Sequence, residues 1–352
     1  MPTLADRLDA LSKPGWLANA EEGQIVECFA CAHRCHIKPG QRGVCKMRFN
    51  CDGALMVPWG YVAAANVDPI EKKPFMHFLP GADALTFGML GCNFHCDFCQ
   101  NWVSSQALRD PASESSGAYI QETTPQELVN HALRAGAQII ASSYNEPLIT
   151  SEWAIEIFKY ARQEGLHTVY VSNGYATPEV LTALQPVLDG FKVDLKCMTD
   201  EKYRSVGGRL QVVLDTIKQA YQLGMWVEVV TLIIPGFNDS NEELWDSARY
   251  LASVSADIPW HVTSFYPTYK HLEGERTSAE ILQRAADIGQ EAGLKYVYAG
   301  NLPGRVGSLE DTHCPNCQTL LVRRIGFSVH ENCITSAGVC PTCGEFIAGI
   351  WH

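Results

Sequence analysis

The sequence predicts an α/β fold built on a parallel sheet of six strand–helix units. Strand-like apolar runs alternate with helical patterns from about residue 84 to 300, and this alternation is typical of parallel sheets. Cysteine groups that suit metal ions or clusters lie before that region, at its start and after it. We therefore expect an N-terminal cysteine-rich segment with a lead-in over 1–80, a core domain over 81–308 and a zinc ribbon over 309–352.

Each strand is predicted where a short apolar run stands between turn signals. The six runs cover residues 85–90, 138–143, 168–172, 191–195, 227–234 and 261–266. The helix before the second strand begins with a capping box, formed by Thr124, Pro125 in the first turn and Glu127. The next helix, near 152–164, has an apolar stripe that includes Trp153, which we expect in the core.

Composition limits the class of protein. The chain has 352 residues, 46% of them hydrophobic, and a formal charge of −12. So acidic a chain is poorly suited to broad binding of nucleic acid or an anionic membrane, and no apolar run is long enough to span a bilayer. The first residues lack the pattern of a secretory signal. Fourteen cysteines then indicate metal chemistry in a reducing cytoplasm rather than disulfides.

The most informative pattern is the trio Cys92, Cys96 and Cys99, spaced by three and then two residues directly after the first predicted strand. This spacing lets three thiolates converge from one loop on a four-iron, four-sulfur cluster. Such a cluster normally takes four cysteines, so three leave one iron open to an exchangeable ligand. The residue before the third cysteine, Phe98, is aromatic. The alternative reading is a structural zinc knuckle.

This motif resembles that of the radical S-adenosylmethionine (SAM) superfamily, in which the amino and carboxylate groups of SAM ligate the open iron. The resemblance implies a partial (β/α)6 barrel, a smaller relative of the eightfold barrel, with a 4Fe-4S cluster and SAM as cofactors. In barrels of this kind the chemistry lies at the carboxyl ends of the strands. Polar residues at those ends are therefore the candidate ligands.

The cofactor-binding residues that we predict are Cys92, Cys96, Cys99, Phe98, Asn145, Glu146, Ser172, Asn173, Asp194, Lys196 and His261. Glu146 can accept hydrogen bonds from the SAM ammonium. Asp194 and Lys196 lie on one side of a strand and suit the ribose hydroxyls and the carboxylate. His261 resembles a histidine that approaches SAM in pyruvate formate-lyase activating enzyme, although a histidine bonded within the core explains it equally well. The segment 234–239 resembles the adenine-proximal turn of the same enzymes.

The C-terminal cysteines form two Cys-x-x-Cys pairs separated by twenty-two residues. They are Cys314, Cys317, Cys340 and Cys343. Two such pairs at this separation are typical of a four-sulfur zinc site. Apolar runs near 319–325 and 346–351 predict the short strands of a zinc ribbon, and Cys333 lies outside both pairs.

The N-terminal cysteines are less regular. Cys28, Cys31, Cys35 and Cys45 can hold zinc or a second iron–sulfur cluster, and zinc is the expectation because nothing in the sequence requires electron transfer. His33 and His36 are alternative zinc ligands, or else solvated loop residues. Five basic residues and no acid lie between 28 and 50, which either offsets thiolate charge or meets an anionic substrate or partner.

A fuller resemblance is to the radical SAM enzymes of the AmmeMemoRadiSam system, relatives of pyruvate formate-lyase activating enzyme. It rests on segment 68–81, the cysteine loop running into Gln100-Asn101-Trp102, the Tyr-Asn-Glu-Pro stretch at 144–147 and the cysteine groups at both ends. It implies Memo-like and AMMECR-like partners. The activating enzymes carry Asp-Thr-Asn-Gly where this chain has Val171-Ser-Asn-Gly, so their cation site is in doubt. No ferredoxin-like insert follows Cys99.

The predicted activity is reductive cleavage of SAM to a 5′-deoxyadenosyl radical, which abstracts hydrogen from a small-molecule or protein substrate. A flavodoxin or ferredoxin is the expected electron donor. Three alternatives remain at this stage: a glycyl-radical-enzyme activase, an RNA-modifying enzyme and a non-catalytic iron–sulfur and zinc protein. RNA binding is unlikely because the ribbon has no basic stripe.

Overall fold

The computed structural model describes residues 3–115 and 119–352, and within them the main sheet has eight strands. In chain order these are β1 (Ala64–Pro69), β2 (Asp83–Gly88), β3 (Ile139–Ser142), β4 (His167–Ser172), β5 (Gly190–Asp194), β6 (Trp226–Ile233), β7 (Trp260–Ser264) and β8 (Val297–Gly300). Neighbours in the chain are neighbours in the sheet. Strands β2 to β8 are parallel, while β1 is antiparallel to β2. The predicted α/β class is confirmed.

The sheet differs from the prediction in its number of strands. The sequence predicted six parallel strands, whereas the described residues contain seven, and β8 is the additional one. It has only four residues, too few for a periodic pattern to distinguish it from a loop. Strand β1 lies in the lead-in before residue 81, so the sheet also extends beyond the predicted core domain.

Helices connect successive parallel strands, as parallel pairing requires. The α-helices span Leu4–Ala10, Trp102–Ser105, Pro111–Ser115, Pro125–Arg134, Ser151–Gln163, Pro178–Leu184, Asp200–Ser205, Leu210–Gln222, Asn241–Val254 and Ala279–Glu291. The capping box forms as predicted, with the backbone N–H of Thr124 donating to the Glu127 carboxylate at 2.8 Å. Trp153 is 1% exposed, which confirms its place in the core. Within the described part of the chain, no helix combines the length and apolar character needed to span a membrane.

The N-terminal segment forms small antiparallel sheets that pack on the helix Ser151–Gln163. One sheet contains Ser12–Pro14, Phe49–Cys51 and Ala54–Pro58, and another contains Ala18–Ala20, Val26–Cys28 and Cys35–Ile37; a short pair joins Tyr61–Val62 to Gln121–Glu122. Arg48 forms an ion pair with Glu152 of the helix, and both side chains are almost fully buried. The Arg48 Nε–H also donates to the carbonyl of Ile149 at 2.8 Å. These buried contacts fix the N-terminal segment to the barrel.

The C-terminal segment forms a three-stranded antiparallel sheet of Thr312–His313, Leu320–Ile325 and Ser328–Asn332. The strand predicted near 319–325 is confirmed. The strand predicted near 346–351 is wrong, and the hairpin partner is Ser328–Asn332 instead. The reason is that the N–H groups of this segment bond to different parts of the chain: Ile347 donates to Gly338, whereas Ile350 donates to His77. Such scattered bonds do not form a ladder.

A buried carboxylate in β6 holds the end of the barrel that faces this C-terminal sheet. Glu228 accepts hydrogen bonds from the backbone N–H groups of Met76 and His77 and from the Trp226 indole, each at 2.9 Å. A fourth comes from His261 of β7 at 2.6 Å. Burial raises the pKa of Glu228, but these donors outweigh burial and hold it below its usual value. One side chain therefore joins two strands to the segment before β2.

We predict that Glu228→Ala lowers the free energy of unfolding by about 3–5 kcal/mol, because buried donors, His261 among them, lose their charged acceptor. Urea unfolding measures the difference. The matched control is Glu156→Ala, which removes an exposed carboxylate paired with Lys159 and should change stability by roughly 0–1 kcal/mol. Equal effects of the two substitutions would contradict this account of the barrel end.

Candidate active site and metal centres

The structure brings Cys92, Cys96 and Cys99 together in the loop after β2, where all three line one cavity of about 110 Å³. Burial raises the pKa of each thiol, to about 12 for Cys96. As free thiols they are protonated at neutral pH, so a bound metal is needed to hold them as thiolates. Three converging sulfurs around an open space fit a 4Fe-4S cluster with one iron free of protein ligands.

The cysteine loop is fixed to the end of β3 by backbone contacts. Gly91 has a φ of +92°, and a Cβ there would lie 2.3 Å from the Met47 side chain, so glycine is required. Its carbonyl accepts from the Glu146 N–H at 3.2 Å. The Met89 N–H donates to Asn145 Oδ1 at 3.0 Å. The cysteines are therefore positioned by the residues that follow the neighbouring strand.

Glu146 lies in the wall of the cysteine cavity and is 3% exposed. Its carboxylate accepts from the Ser172 hydroxyl at 2.7 Å, the Asn173 N–H at 2.8 Å and the Leu148 N–H at 3.1 Å. Burial raises the pKa of Glu146 to about 7, against the effect of these donors. A carboxylate offers about four acceptor positions, so one remains for a ligand.

Asn145, Ser172 and Asn173 also line the cavity, but their polar atoms chiefly build its wall. The Asn173 amide donates to Asn93 Oδ1 at 2.7 Å. Ser172 Oγ accepts from the Gly174 N–H at 3.0 Å while it donates to Glu146. These contacts connect the ends of β3 and β4 to the cysteine loop.

Asp194 and Lys196 reach the same cavity from β5, as alternation along a strand predicts. Lys196 Nζ lies 3.3 Å from Asp194, and Lys192 forms a second ion pair with the same carboxylate. Burial raises the pKa of Asp194, but the two ammonium groups lower it to about 2. Burial lowers the pKa of Lys196, yet Asp194 and Cys96 raise it above its usual range. Both groups are therefore charged at neutral pH.

Phe98 packs on the turn that resembles the adenine-proximal turn. Its ring centroid lies 5.5 Å from that of Phe237. The neighbouring Asn238 donates to the carbonyl of Lys196 at 2.7 Å, which ties the turn to the end of β5. The aromatic residue of the cysteine motif thus lies against a loop fixed by two strands.

The structure does not bring His261 to the cysteine cavity. Its ring stacks on Tyr298 with centroids 5.3 Å apart, and its Nε2 bonds to Glu228. It is 1% exposed and lines a separate cavity with Glu71 and Met76. The geometry therefore favours the alternative that His261 is a histidine bonded within the core.

A larger cavity of about 540 Å³ adjoins the cysteine loop, and it too includes Cys96, Cys99 and Phe98 in its wall. Four lysines line it, namely Lys72, Lys73, Lys192 and Lys196, whereas Asp194 is the one acidic residue among its described lining residues. Tyr144 adopts a φ of +69°, rare for a side chain of its size, and its hydroxyl lies 3.4 Å from Lys73. Asp68 pairs with Lys72 and Lys73, and Asp194 pairs with Lys192 and Lys196. The four lysines therefore exceed these two aspartates by two positive charges.

The four ribbon cysteines converge as a single-ion site requires. Their sulfurs all lie within 4.8 Å of one another, with Cys314 3.5 Å from Cys343 and Cys317 3.7 Å from Cys340. Hydrogen bonds from Thr319 lower the pKa of Cys317 to about 6, which favours its thiolate. Cys333 lies outside the group, 3.4 Å from Glu331.

The N-terminal cysteines form a second buried group on the other side of the cysteine loop. Cys28 and Cys35 lie opposite each other on neighbouring antiparallel strands. Cys28, Cys31 and Cys45 are each at most 7% exposed. Among the described residues, His33 forms no hydrogen bond with these sulfurs. Its Nε2 instead bonds to the carbonyl of Asn93 at 3.1 Å.

Sequence reasoning missed three residues of the site. Lys192 follows the same alternation as Asp194 and Lys196, so its position was available from the pattern. Tyr144 and Asn93 gave no comparable signal, because an unusual backbone conformation and a bridge between distant loops appear only in three dimensions.

Residues 87–251 match the model of the Radical SAM superfamily. An uncharacterised protein of Methanocaldococcus jannaschii is 38% identical over 325 residues, which cover 92% of this chain and 95% of that protein. The chain belongs to the radical SAM superfamily, and the fold and the cysteine cavity agree with that membership.

Similarity to the activating enzymes extends over about half of the chain. Pyruvate formate-lyase 1-activating enzyme of Escherichia coli is 27% identical over 188 residues, which cover 51% of this chain and 70% of that enzyme. Among solved structures, Streptococcus suis SuiB bound to its precursor peptide SuiA has a TM-score of 0.48 and 12% identity, over 65% of this chain and 50% of that one. The narrower resemblance to the AmmeMemoRadiSam system stays a prediction.

We predict that Cys343→Ser removes one metal ion per chain from the ribbon, because a tetrahedral site loses one of its four sulfurs. Elemental analysis of the purified protein measures the loss. The matched control is Cys333→Ser, which alters a ribbon cysteine outside the group and should leave the metal content unchanged. Equal metal content in all three proteins would mean that the four sulfurs bind no ion.

Proposed function

We propose that this protein is an enzyme that binds a 4Fe-4S cluster at Cys92, Cys96 and Cys99, with SAM beside it. When bound and reduced, the cluster supplies the electron that cleaves SAM to methionine and a 5′-deoxyadenosyl radical, and the radical abstracts hydrogen from a small-molecule or protein substrate. The observation that carries this proposal is the cysteine cavity itself, whose wall also contains Glu146 and Lys196.

The charged residues of this wall suit the polar groups of SAM. Glu146 has one free acceptor position for the ammonium, beside three that internal donors occupy. Asp194, ionised between two lysines, can accept from ribose hydroxyls, and Lys196 can donate to the SAM carboxylate. Phe98 and the turn at 234–239 offer an apolar surface for the adenine.

The larger cavity is the expected substrate site because Cys96, Cys99 and Lys196 line both it and the cysteine cavity. The four lysines exceed the two aspartates that they pair with by two charges, which favours a substrate that carries an anionic group near the reacting carbon. A flavodoxin or ferredoxin as electron donor follows from the superfamily, whereas Memo-like and AMMECR-like partners rest on the narrower resemblance alone. A cytoplasmic location likewise stays a prediction.

We propose zinc as the ion of the ribbon. Four cysteine sulfurs in a closed, tetrahedral arrangement are the usual ligands of structural zinc. Zinc is not redox-active, so a zinc ion in the ribbon needs no electron-transfer partner. Its proposed role is structural.

A glycyl-radical-enzyme activase is the next candidate, because one relative, 24% identical over 221 residues that cover 61% of this chain, is named a putative glycyl-radical enzyme activating enzyme. The test is to incubate the reduced protein and SAM with pyruvate formate-lyase. A persistent glycyl radical signal in the electron paramagnetic resonance (EPR) spectrum would favour the activase over the proposed function.

RNA modification and a purely structural role are less well supported. Of the two ribbon arginines, Arg324 is 3% exposed and pairs with Glu71 inside the protein, so only Arg323 faces solvent. That leaves the ribbon without the basic surface that RNA binding requires. A structural cluster has no need of charged groups arranged around an open iron.

We predict that SAM changes the EPR spectrum of the reduced cluster in anaerobically reconstituted protein, because SAM ligates the free iron. Cys96→Ala should abolish the SAM-sensitive signal while the ribbon metal is retained, which serves as the control for folding. A spectrum that SAM does not alter, in protein with about four irons at this loop, would disprove the open coordination site.

We also predict that Glu146→Gln and Lys196→Ala each weaken SAM binding about ten- to a hundredfold. Losing one charge-assisted hydrogen bond costs roughly 1.5–3 kcal/mol. Equilibrium binding and the rate of 5′-deoxyadenosine formation measure the effect, while iron content should stay normal. Glu164→Gln, on the exposed end of a helix, is the control. Unchanged SAM affinity in Glu146→Gln would show that 144–147 is only a strand-end turn.

A further inference from the structure

The N-terminal cysteine group differs from the ribbon in the spacing of its sulfurs. Four sulfurs bound to one zinc at about 2.3 Å lie about 3.8 Å apart, and the ribbon sulfurs meet that spacing. Across residues 3–115 and 119–352, no other set of three cysteines has all its sulfurs within 4.8 Å. Neither the N-terminal group nor the trio Cys92, Cys96 and Cys99 is therefore gathered around a single ion as the ribbon cysteines are.

The two cysteine groups meet at one residue, Asn93. Its side-chain oxygen lies 3.7 Å from Cys92 Sγ. Its backbone carbonyl bonds to Nε2 of His33, two residues after Cys31, at 3.1 Å. Asn93 thus links the cysteine loop to the segment that carries the N-terminal cysteines.

Arg109 joins the two loops a second time. Its guanidinium donates to the carbonyl of Val44, next to Cys45, at 2.8 Å and to the carbonyl of Cys92 at 3.1 Å. Met47, two residues after Cys45, packs against Gly91. The N-terminal group is therefore built onto the cysteine loop rather than onto a distant part of the fold.

Hydrogen-bond donors point at the N-terminal sulfurs. The Val44 N–H lies 3.4 Å from Cys35 Sγ, and the buried Arg48 guanidinium lies 3.6 Å from Cys28 Sγ. The Asn93 amide nitrogen is fully buried and has no acceptor among the described residues. An orphaned buried donor between the two cysteine segments is explained if a thiolate or sulfide of a bound cluster accepts from it.

We propose that Cys28, Cys31, Cys35 and Cys45 hold a second four-iron, four-sulfur cluster, and that electrons enter the enzyme through it. A low-potential one-electron donor protein is oxidised by one electron, the second cluster accepts that electron and passes it to the cluster at Cys92, and no bond is made or broken in the transfer. The site itself is independent of the proposed function, whereas the electron-entry role rests on it. This proposal replaces the expectation of zinc at this site. That expectation rested on the lack of any need for electron transfer, and a cluster in the neighbouring Cys92 loop would supply that need.

Surface charge identifies the class of donor. Of the basic residues between 28 and 50, Arg34, Arg42 and Arg48 form ion pairs within the chain. Lys38 and Lys46 are exposed and form no ion pair with the described residues. Asp52 is also exposed just after this segment, so the positive charge is confined to these two lysines. In a chain with a formal charge of −12, they would attract an acidic donor such as a flavodoxin.

The metal content of a triple variant tests the site. Cys92→Ala, Cys96→Ala and Cys99→Ala together remove the first cluster. After anaerobic reconstitution with iron and sulfide, the variant should keep about four irons and four sulfides per chain, and wild type should contain about twice as many. Loss of all iron, with a second zinc in its place, would overturn the proposal. If the triple variant does not fold, reduced wild type serves instead: two EPR signals, one of them unaffected by SAM, are expected, and a single signal refutes the second cluster.

The electron-entry role has a separate test. Lys38→Glu combined with Lys46→Glu should slow reduction by flavodoxin at least tenfold at low salt and leave reduction by dithionite within twofold of wild type. Lys218→Glu, on an exposed helical position, is the control and should slow neither. Equal rates with flavodoxin in all three proteins would place electron entry elsewhere. That outcome leaves SAM cleavage by dithionite-reduced enzyme intact, so it is distinguishable from failure of the proposed function.

Discussion

The carboxylate of Glu146 is the interaction on which the rest of the site depends. It bonds to Ser172 and Asn173 after β4, and its own N–H bonds to Gly91 at the start of the cysteine loop. Three consecutive strand ends are thereby held together by one buried residue, two through its carboxylate and one through its backbone N–H. Burial of a carboxylate is costly unless its oxygens are satisfied, and here the internal donors satisfy most of that need. A carboxylate accepts about four hydrogen bonds, so one position is left beyond the three internal donors.

Other buried charges near the site are likewise held by oppositely charged or hydrogen-bonding partners. Asp194 is held between Lys192 and Lys196, and Arg48 is held by Glu152 under the N-terminal segment. Removing one partner of such a pair leaves the other unpaired in a poorly solvated place, which costs far more than the pair contributes when it is intact. These pairs therefore act as constraints on geometry. The Arg48–Glu152 pair fixes the N-terminal segment to the barrel, whereas the group around Asp194 orders the end of β5.

The fold class, six of the parallel strands and the three cluster cysteines could be predicted from the sequence, because periodicity and cysteine spacing are local properties. Asp194 and Lys196 were found through the alternation of a strand, and that alternation also predicts Lys192. Strand β8 was missed because four residues carry too little pattern. His261 was assigned by resemblance, but its partner Glu228 lies thirty-three residues away, and no local pattern reveals that contact. The contact between His33 and Asn93 was hidden for the same reason, since it joins positions sixty residues apart.

The sequence places the ribbon after the core domain, yet in the structure the ribbon packs on the end of the barrel. Arg324 is buried, donates to the carbonyl of Met76 at 2.7 Å and lies 3.6 Å from Glu71. The N–H of Ile350 bonds to the carbonyl of His77, in the segment that Glu228 holds. Phe327, at the turn of the ribbon hairpin, lines the lysine-rich cavity beside the cysteine loop. A metal ion that ordered the ribbon would therefore also order one wall of the expected substrate site.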